Sequence, residues 1–201
     1  MLKRLSGYDF VWLVYGREPG SLPRSWRGLV GHKRLDVVVR VLLAALYPCG
    51  SVSRGSLFAL FLDRGSEGES GRLVLLGPDC LPPRAVYEHE IGGFFLQALR
   101  GDRCSSVNDV SLLYVVRALK RNGYHVIGFR EGAKYIDPSV LSGRAAVILG
   151  SFFDPPPRAL REASSVYSIG PYSYLASHVA AFINAVRLGF IRLQQAYHRS
   201  P

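Results

Sequence analysis

Lysine is scarce in this chain. Of 25 basic residues only Lys3, Lys33, Lys120 and Lys134 are lysines, and the rest are arginines. Cysteine is scarcer still, with Cys49, Cys80 and Cys104 the only three. They are widely spaced and form no CxxC pair, which argues against a zinc ribbon, and their odd number does not suit a disulfide framework. No metal is expected. Free, partly buried thiols are the expected state, with a Cys49–Cys80 disulfide the alternative. No apolar run is long enough to span a bilayer, since the longest, Val37 to Tyr47, is short and broken by Arg40. The basic start Met1-Leu2-Lys3-Arg4 is followed by no apolar stretch of export-signal length, so the protein is read as cytoplasmic. GxGxxG and GxxxxGK[ST] are both absent, so neither a dinucleotide fingerprint nor a P-loop is supported.

What is there is a core-forming, basic chain. It has 201 residues, 48% hydrophobic and 20% charged, which excludes a mainly disordered protein. The formal net charge is +10, and the arginines run from Arg4 to Arg199 rather than forming a tail. Arginine grips phosphates bidentately and stacks on bases, so nucleic acid is the first partner to consider. Genome base composition is the competing explanation for an arginine bias.

Apolar stretches alternate with helical patterns. Strands are expected at Phe10–Tyr15, Leu57–Leu62, Arg72–Leu76, Tyr124–Phe129, Ala145–Leu149 and Ser165–Ile169. Helices are expected at His32–Tyr47, Arg84–Leu99 and Asp109–Asn122. A last helix should follow Pro171, capped by Ser173 and running to about Leu193. Leu35, Val39, Leu42 and Leu46 share one face of the first helix, and Lys33, Asp36 and Arg40 share another. This alternation implies an α/β fold with a mainly parallel sheet. In such sheets ligands bind beyond the carboxyl ends of the strands, where glycines fall here at Gly128, Gly132, Gly150 and Gly170.

The last third adds a pattern. A strand ends Val147-Ile148-Leu149-Gly150. A second ends Ser168-Ile169-Gly170-Pro171, and a helix containing Ala176-Ser177-His178 follows at once. With Arg34-Leu35-Asp36 near the N-terminus, Arg40 one turn on, and Leu113-Tyr114-Val115 in the middle, the chain resembles the SPOUT class of S-adenosylmethionine-dependent RNA methyltransferases. Within that class it looks most similar to the archaeal tRNA pseudouridine-54 N1-methyltransferase family. The resemblance covers roughly residues 9 to 190.

The resemblance implies a single domain over 1–201: a SPOUT-like, mainly parallel α/β sheet with helices on both faces and a C-terminal trefoil knot. The knot and cofactor region would lie at about 124–192. It implies S-adenosyl-L-methionine as cofactor, held by Gly128, Phe129, Gly132, Leu149, Gly150, Ser168, Ile169, Gly170 and Leu175. Tyr172 and Tyr174 are placed at the adenine pocket or a dimer interface. Asp36 is the candidate base or orienting carboxylate, supported by Arg34, and His178 is a second catalytic candidate. For each there is a plainer reading: an i, i+4 surface pair for Asp36 and Arg40, and a structural histidine for His178. Arg24, Arg27, Lys33 and Arg40 are the candidate RNA contacts, with Trp26 among them for stacking; a solvated loop is the alternative. The partners implied are tRNA and a second copy of the chain.

The chain also departs from the family. Ser177-His178-Val179 stands where the family has Asn-His-Cys, Gly150-Ser151 where it has Gly-Asp, and Val110-Ser111-Leu112 where it has Thr-Pro-Gly. Roles resting on those family residues are not carried over. Two alternatives to tRNA methylation therefore stay open: methylation of pseudouridine in ribosomal RNA, and cofactor or RNA binding without turnover.

Overall fold

The computed structural model describes residues 5–65, 67–102 and 104–191. Its centre is a seven-stranded sheet in the order β4-β3-β2-β1-β6-β5-β7. The strands are β1 Phe10–Arg17, β2 Ser56–Asp63, β3 Gly71–Leu76, β4 Ser105–Val110, β5 His125–Phe129, β6 Ala145–Gly150 and β7 Ser165–Tyr167. β2, β1, β6, β5 and β7 run parallel, while β3 and β4 add an antiparallel flank.

Among the described residues five helices cover the sheet: α1 Leu35–Leu46, α2 Glu88–Arg100, α3 Leu112–Arg121, α4 Pro157–Glu162 and α5 Ala176–Arg187. The central strands are apolar through 10–15, 57–62 and 145–149 because both of their faces are covered. On one face Phe10, Trp12, Val14, Phe58 and Val147 pack against α1, α2 and α5. On the other Val11, Leu13, Phe61 and Ile148 pack against α3 and α4. The expected α/β class, with helices on both faces, is what the structure shows.

β7 lies at the sheet edge, yet α5 returns to the middle of the sheet and rests on α1 and the short 3-10 helix Pro138–Leu141. A trefoil threading requires such a return. Asn184 of α5, nearly fully buried, donates through Nδ2 to the carbonyl oxygens of Ala44 (2.8 Å) and Ala45 (2.9 Å). It thereby satisfies carbonyls that the end of α1 leaves without helical partners.

Several boundaries differ from expectation. α1 starts at Leu35, not His32, because Lys33 and Arg34 both adopt left-handed backbone, with φ of 54° and 56°. α2 starts at Glu88, since 84–87 is not helical. The stretch 105–110, partly assigned to a helix, is the flanking strand β4, and the helix behind it starts only at Leu112. α5 is capped by Leu175 rather than Ser173, and it ends at Arg187 with Leu188 as its C-cap, short of the expected Leu193. The cysteine expectation is also corrected. Cys80 is bonded to Cys104 with Cα atoms 5.7 Å apart, and Cys49 is free and exposed. The chain leaves β3 at residues 78–80, runs through α2, and comes back beside its exit point to enter β4, which brings these two sulfurs together.

Candidate functional site

The residues singled out from the sequence fall in two groups at the carboxyl ends of the parallel strands. The first group surrounds the start of α1. Asp36 is buried, and both of its carboxylate oxygens are taken by guanidinium groups. Arg34 binds it bidentately, Nε to Oδ1 at 3.0 Å and Nη2 to Oδ2 at 3.1 Å. Arg40 adds Nη2 to Oδ2 at 2.7 Å and reaches Glu88 of α2 through Nε at 3.2 Å. The result is an alternating chain, Arg34–Asp36–Arg40–Glu88, crossing from the loop before α1 to the start of α2. Burial alone would raise the Asp36 carboxyl, but hydrogen bonds and charge from Arg34, with charge from Arg40, outweigh it and hold it below the usual carboxylate range. A carboxylate so held is a weak base and a strong anchor. The geometry favours Asp36 as the group that aims two arginines.

The two left-handed residues before α1 have a local purpose. They turn the chain sharply, so that Arg34 folds back onto Asp36 two residues later. Non-glycine residues in this conformation cost roughly 1 kcal/mol or more each, which the ion pair and the packing of α1 offset.

The second group is built from the loops after β5, β6 and β7. Ser151 N, just past β6, donates to Tyr15 O at 2.9 Å, fixing the β6 loop to the end of β1. The loop then folds back over Gly150, where an added Cβ would lie 2.5 Å from Phe153 O and 3.1 Å from Pro155 Cδ. Gly150 is therefore required by the loop's own backbone. Phe152 and Phe153 meet edge to face, with ring centres 5.3 Å apart. Arg17 lies over Phe153 at 4.7 Å and Arg34 over Phe152 at 5.0 Å. Arg34 thus joins the two groups.

The loops after β5 and β7 are clamped together. Ser168 N donates to Lys134 O at 2.8 Å, and Ile136 N donates to Ser168 O at 2.9 Å. The buried Ser168 hydroxyl donates to Gly170 O at 2.5 Å and accepts from Gly170 N at 3.3 Å, closing a tight turn. The Tyr174 phenol covers Gly170. Ile169 is partly buried against the core, Leu175 is exposed at the start of α5, and Tyr172 is exposed. Phe129 is half-buried at the end of β5, and Gly132 is exposed with φ +71°. Leu149 is buried on the α1 side of the sheet.

Two expected residues stand apart. Gly128 faces α4, where an added Cβ would lie 2.9 Å from Leu160 Cδ2, so helix packing accounts for this glycine. His178 is exposed on the first turn of α5, and no hydrogen bond or ion pair links it to Arg34 or Asp36. Arg24, Arg27 and Lys33 are exposed, and the loop carrying Arg24 is held to α2 by Arg100 Nη2 donating to Pro23 O at 2.9 Å. Sequence reasoning missed Glu88 and Phe152. Nothing local to either residue signals its role, because each acquires a partner only through the tertiary fold. Among the described residues no group of three His, Cys, Asp or Glu side chains could hold a metal ion, and no helix is long and apolar enough to cross a membrane.

No protein-family model matches the chain, and no curated protein sequence matches it significantly. A solved structure does: the crystal structure of Archaeoglobus fulgidus Nep1 bound to S-adenosylhomocysteine. The match covers 90% of this chain and 99% of that one, with a TM-score of 0.55 at 22% identity. The chain has a SPOUT-like fold.

Proposed function

We propose that this protein is an S-adenosyl-L-methionine-dependent RNA methyltransferase. The observation that carries this reading is the clamped set of loops after β5, β6 and β7, set beside an arginine–carboxylate chain centred on the buried Asp36 through the Arg34–Phe152 contact. The S-adenosylhomocysteine bound to the SPOUT-like neighbour supports the cofactor. The basic net charge and the exposed Arg24, Arg27 and Lys33 support RNA as substrate.

In this reading the loops bearing Phe129, Gly132, Leu149, Gly150, Ser168, Ile169, Gly170 and Leu175 hold the cofactor through backbone and shape. When bound, the cofactor supplies an electrophilic methyl group. Asp36 positions Arg34 and Arg40, whose outward N–H groups take RNA phosphates. Holding the nucleophile in line is the main contribution the protein makes, because positioning alone removes several kcal/mol of barrier. The methyl acceptor would be N1 of a pseudouridine, whose N1 proton would pass to solvent, and the demethylated cofactor, S-adenosylhomocysteine, would be the product left in the loops. Our preferred substrate is the pseudouridine of a tRNA T-loop, in the cytoplasm. A homodimer formed through α5 is part of the proposal, because Leu175, Leu188, Phe190 and Ile191 leave apolar surface exposed there.

Calorimetry with S-adenosylhomocysteine tests the cofactor, and its absence of binding removes the enzyme reading. Methyl incorporation into unmodified tRNA from radiolabelled cofactor, followed by nucleoside mass spectrometry, tests the substrate. A second reading, RNA binding without turnover, draws on Val179, a buried apolar residue where the resembling family carries a thiol. Incorporation of label excludes it.

A further inference from the structure

An aromatic ladder stands at the start of α2, outside both groups described above. The rings of Tyr87 and His89 are stacked, with centres 5.6 Å apart and planes 10° from parallel. Trp26 lies beside the stack, 6.4 Å from His89 and tilted by 39° to it. Tyr87 is 62% exposed, His89 is exposed and Trp26 is half-buried. Trp26 packs in part against the core, but the core does not explain the exposed stack of Tyr87 and His89.

The ladder is rigidly held. Glu90 Oε2 accepts hydrogen bonds from Val86 N at 2.6 Å and Tyr87 N at 2.7 Å, which fixes the backbone bearing the outermost ring. Trp26 is seated on Gly92, where an added Cβ would lie 3.0 Å from Trp26 Cβ. Glu88, between the two stacked residues in sequence, is ion-paired to Arg40 and through it to Asp36. The ladder is thus mechanically continuous with the arginine–carboxylate chain. The nearby exposed cations are Arg24 and Arg27, on the segment around Trp26, and Arg84, three residues before Tyr87.

We propose that Tyr87, His89 and Trp26 form a stacking platform for unpaired bases of the RNA substrate, flanking the nucleotide that is modified. Every base has a π-face, so such a platform holds single-stranded nucleotides without reading their identity. Preformed stacked rings lose little freedom on binding, and the flanking arginines supply phosphate contacts. The flanking arginines disfavour an apolar segment, and the exposed stacked rings favour RNA over an acidic peptide, which would use the charge but not the π-faces. The proposal rests on the RNA reading given above and extends it to a specific surface.

The test uses the full-length protein and two nine-nucleotide single-stranded RNAs, one of uridines and one with the same phosphates but abasic at the central positions. The chain has two tryptophans, and Trp12 is fully buried, so quenching on titration reports Trp26. The oligouridine is expected to quench this fluorescence and to bind roughly tenfold more tightly than the abasic strand. Tyr87→Ala and His89→Ala should each abolish most of that difference, and Tyr87→Phe should restore it. Both sites are exposed, so the variants should fold, and circular dichroism checks this. Equal affinity for the two strands, or alanine variants indistinguishable from wild type, overturns the platform while leaving the RNA reading intact. No affinity for either strand, or for folded tRNA, overturns both.

Discussion

The guanidinium of Arg34 lies over the ring of Phe152, 5.0 Å from its centre. This contact ties the turn before α1 to the loop after β6. It places the cluster that would meet RNA against the loop that would meet the cofactor. A double-mutant cycle measures the tie. Phe152→Ala and Arg34→Ala should show a coupling of about 0.5–1 kcal/mol in urea unfolding, the range for a partly exposed cation–π pair. Additive effects would remove the link.

Asp36 makes a prediction about pH. Its folded carboxyl titrates below its ordinary range, so its ion pairs stabilise the protein above the unfolded pKa, and that contribution is lost as the pH falls through the folded pKa. Asp36→Asn should cost about 1–2 kcal/mol at pH 7, because its buried oxygens face two half-exposed arginines. Chemical denaturation of both proteins from pH 7 to pH 3 should show the gap closing on the acid side. A gap constant with pH contradicts the assignment.

The two loop glycines should respond differently to alanine. At Gly150 the added carbon meets the Phe153 carbonyl and Asp154 backbone, so the loop itself must move. A loss of about 1–3 kcal/mol is expected, together with weakened S-adenosylhomocysteine binding. At Gly170 the carbon meets the end of the Tyr174 side chain, which is 39% exposed and can swing away. Gly170→Ala should therefore lower stability little and act mainly on the cofactor. Differential scanning calorimetry with and without S-adenosylhomocysteine separates the two effects.

The Cys80–Cys104 bond closes a loop containing all of α2. By the chain-entropy account it should contribute about 3 kcal/mol. Reductant, or Cys104→Ser, should lower the melting temperature, whereas Cys49→Ser should leave it unchanged. Thiol titration of unreduced, denatured protein should find one reactive group. Three would show that the bond does not form.

The parallel heart of the sheet was legible because strands covered on both faces must be apolar throughout, and 10–15, 57–62 and 145–149 are. β4 was not legible. Its sequence Ser-Ser-Val-Asn-Asp-Val lies at the sheet's outer edge, where one side faces solvent and polarity is tolerated. The start of α1 was misplaced because no local signal marks Lys33 and Arg34 as left-handed. Their conformation goes with the grip of Arg34 on Asp36, a contact seen only in the folded chain. In the site, the Asp36–Arg40 pair could be found by i, i+4 spacing along one helix, whereas Arg34, in the turn before it, came only from the family resemblance. Glu88, Phe152 and the disulfide pairing could not, because each depends on segments that only the folded chain brings together.

Asn184 completes the end of α1, far back in the sequence, and β1, the sheet's central strand, needs β6 at its side. Elements early in this sequence are therefore finished by later ones. Until α5 is in place, the carbonyls of Ala44 and Ala45 and the part of α1 that α5 covers have only water or a chaperone for company. During synthesis that surface waits open, and a product cut short before α5 inherits it permanently.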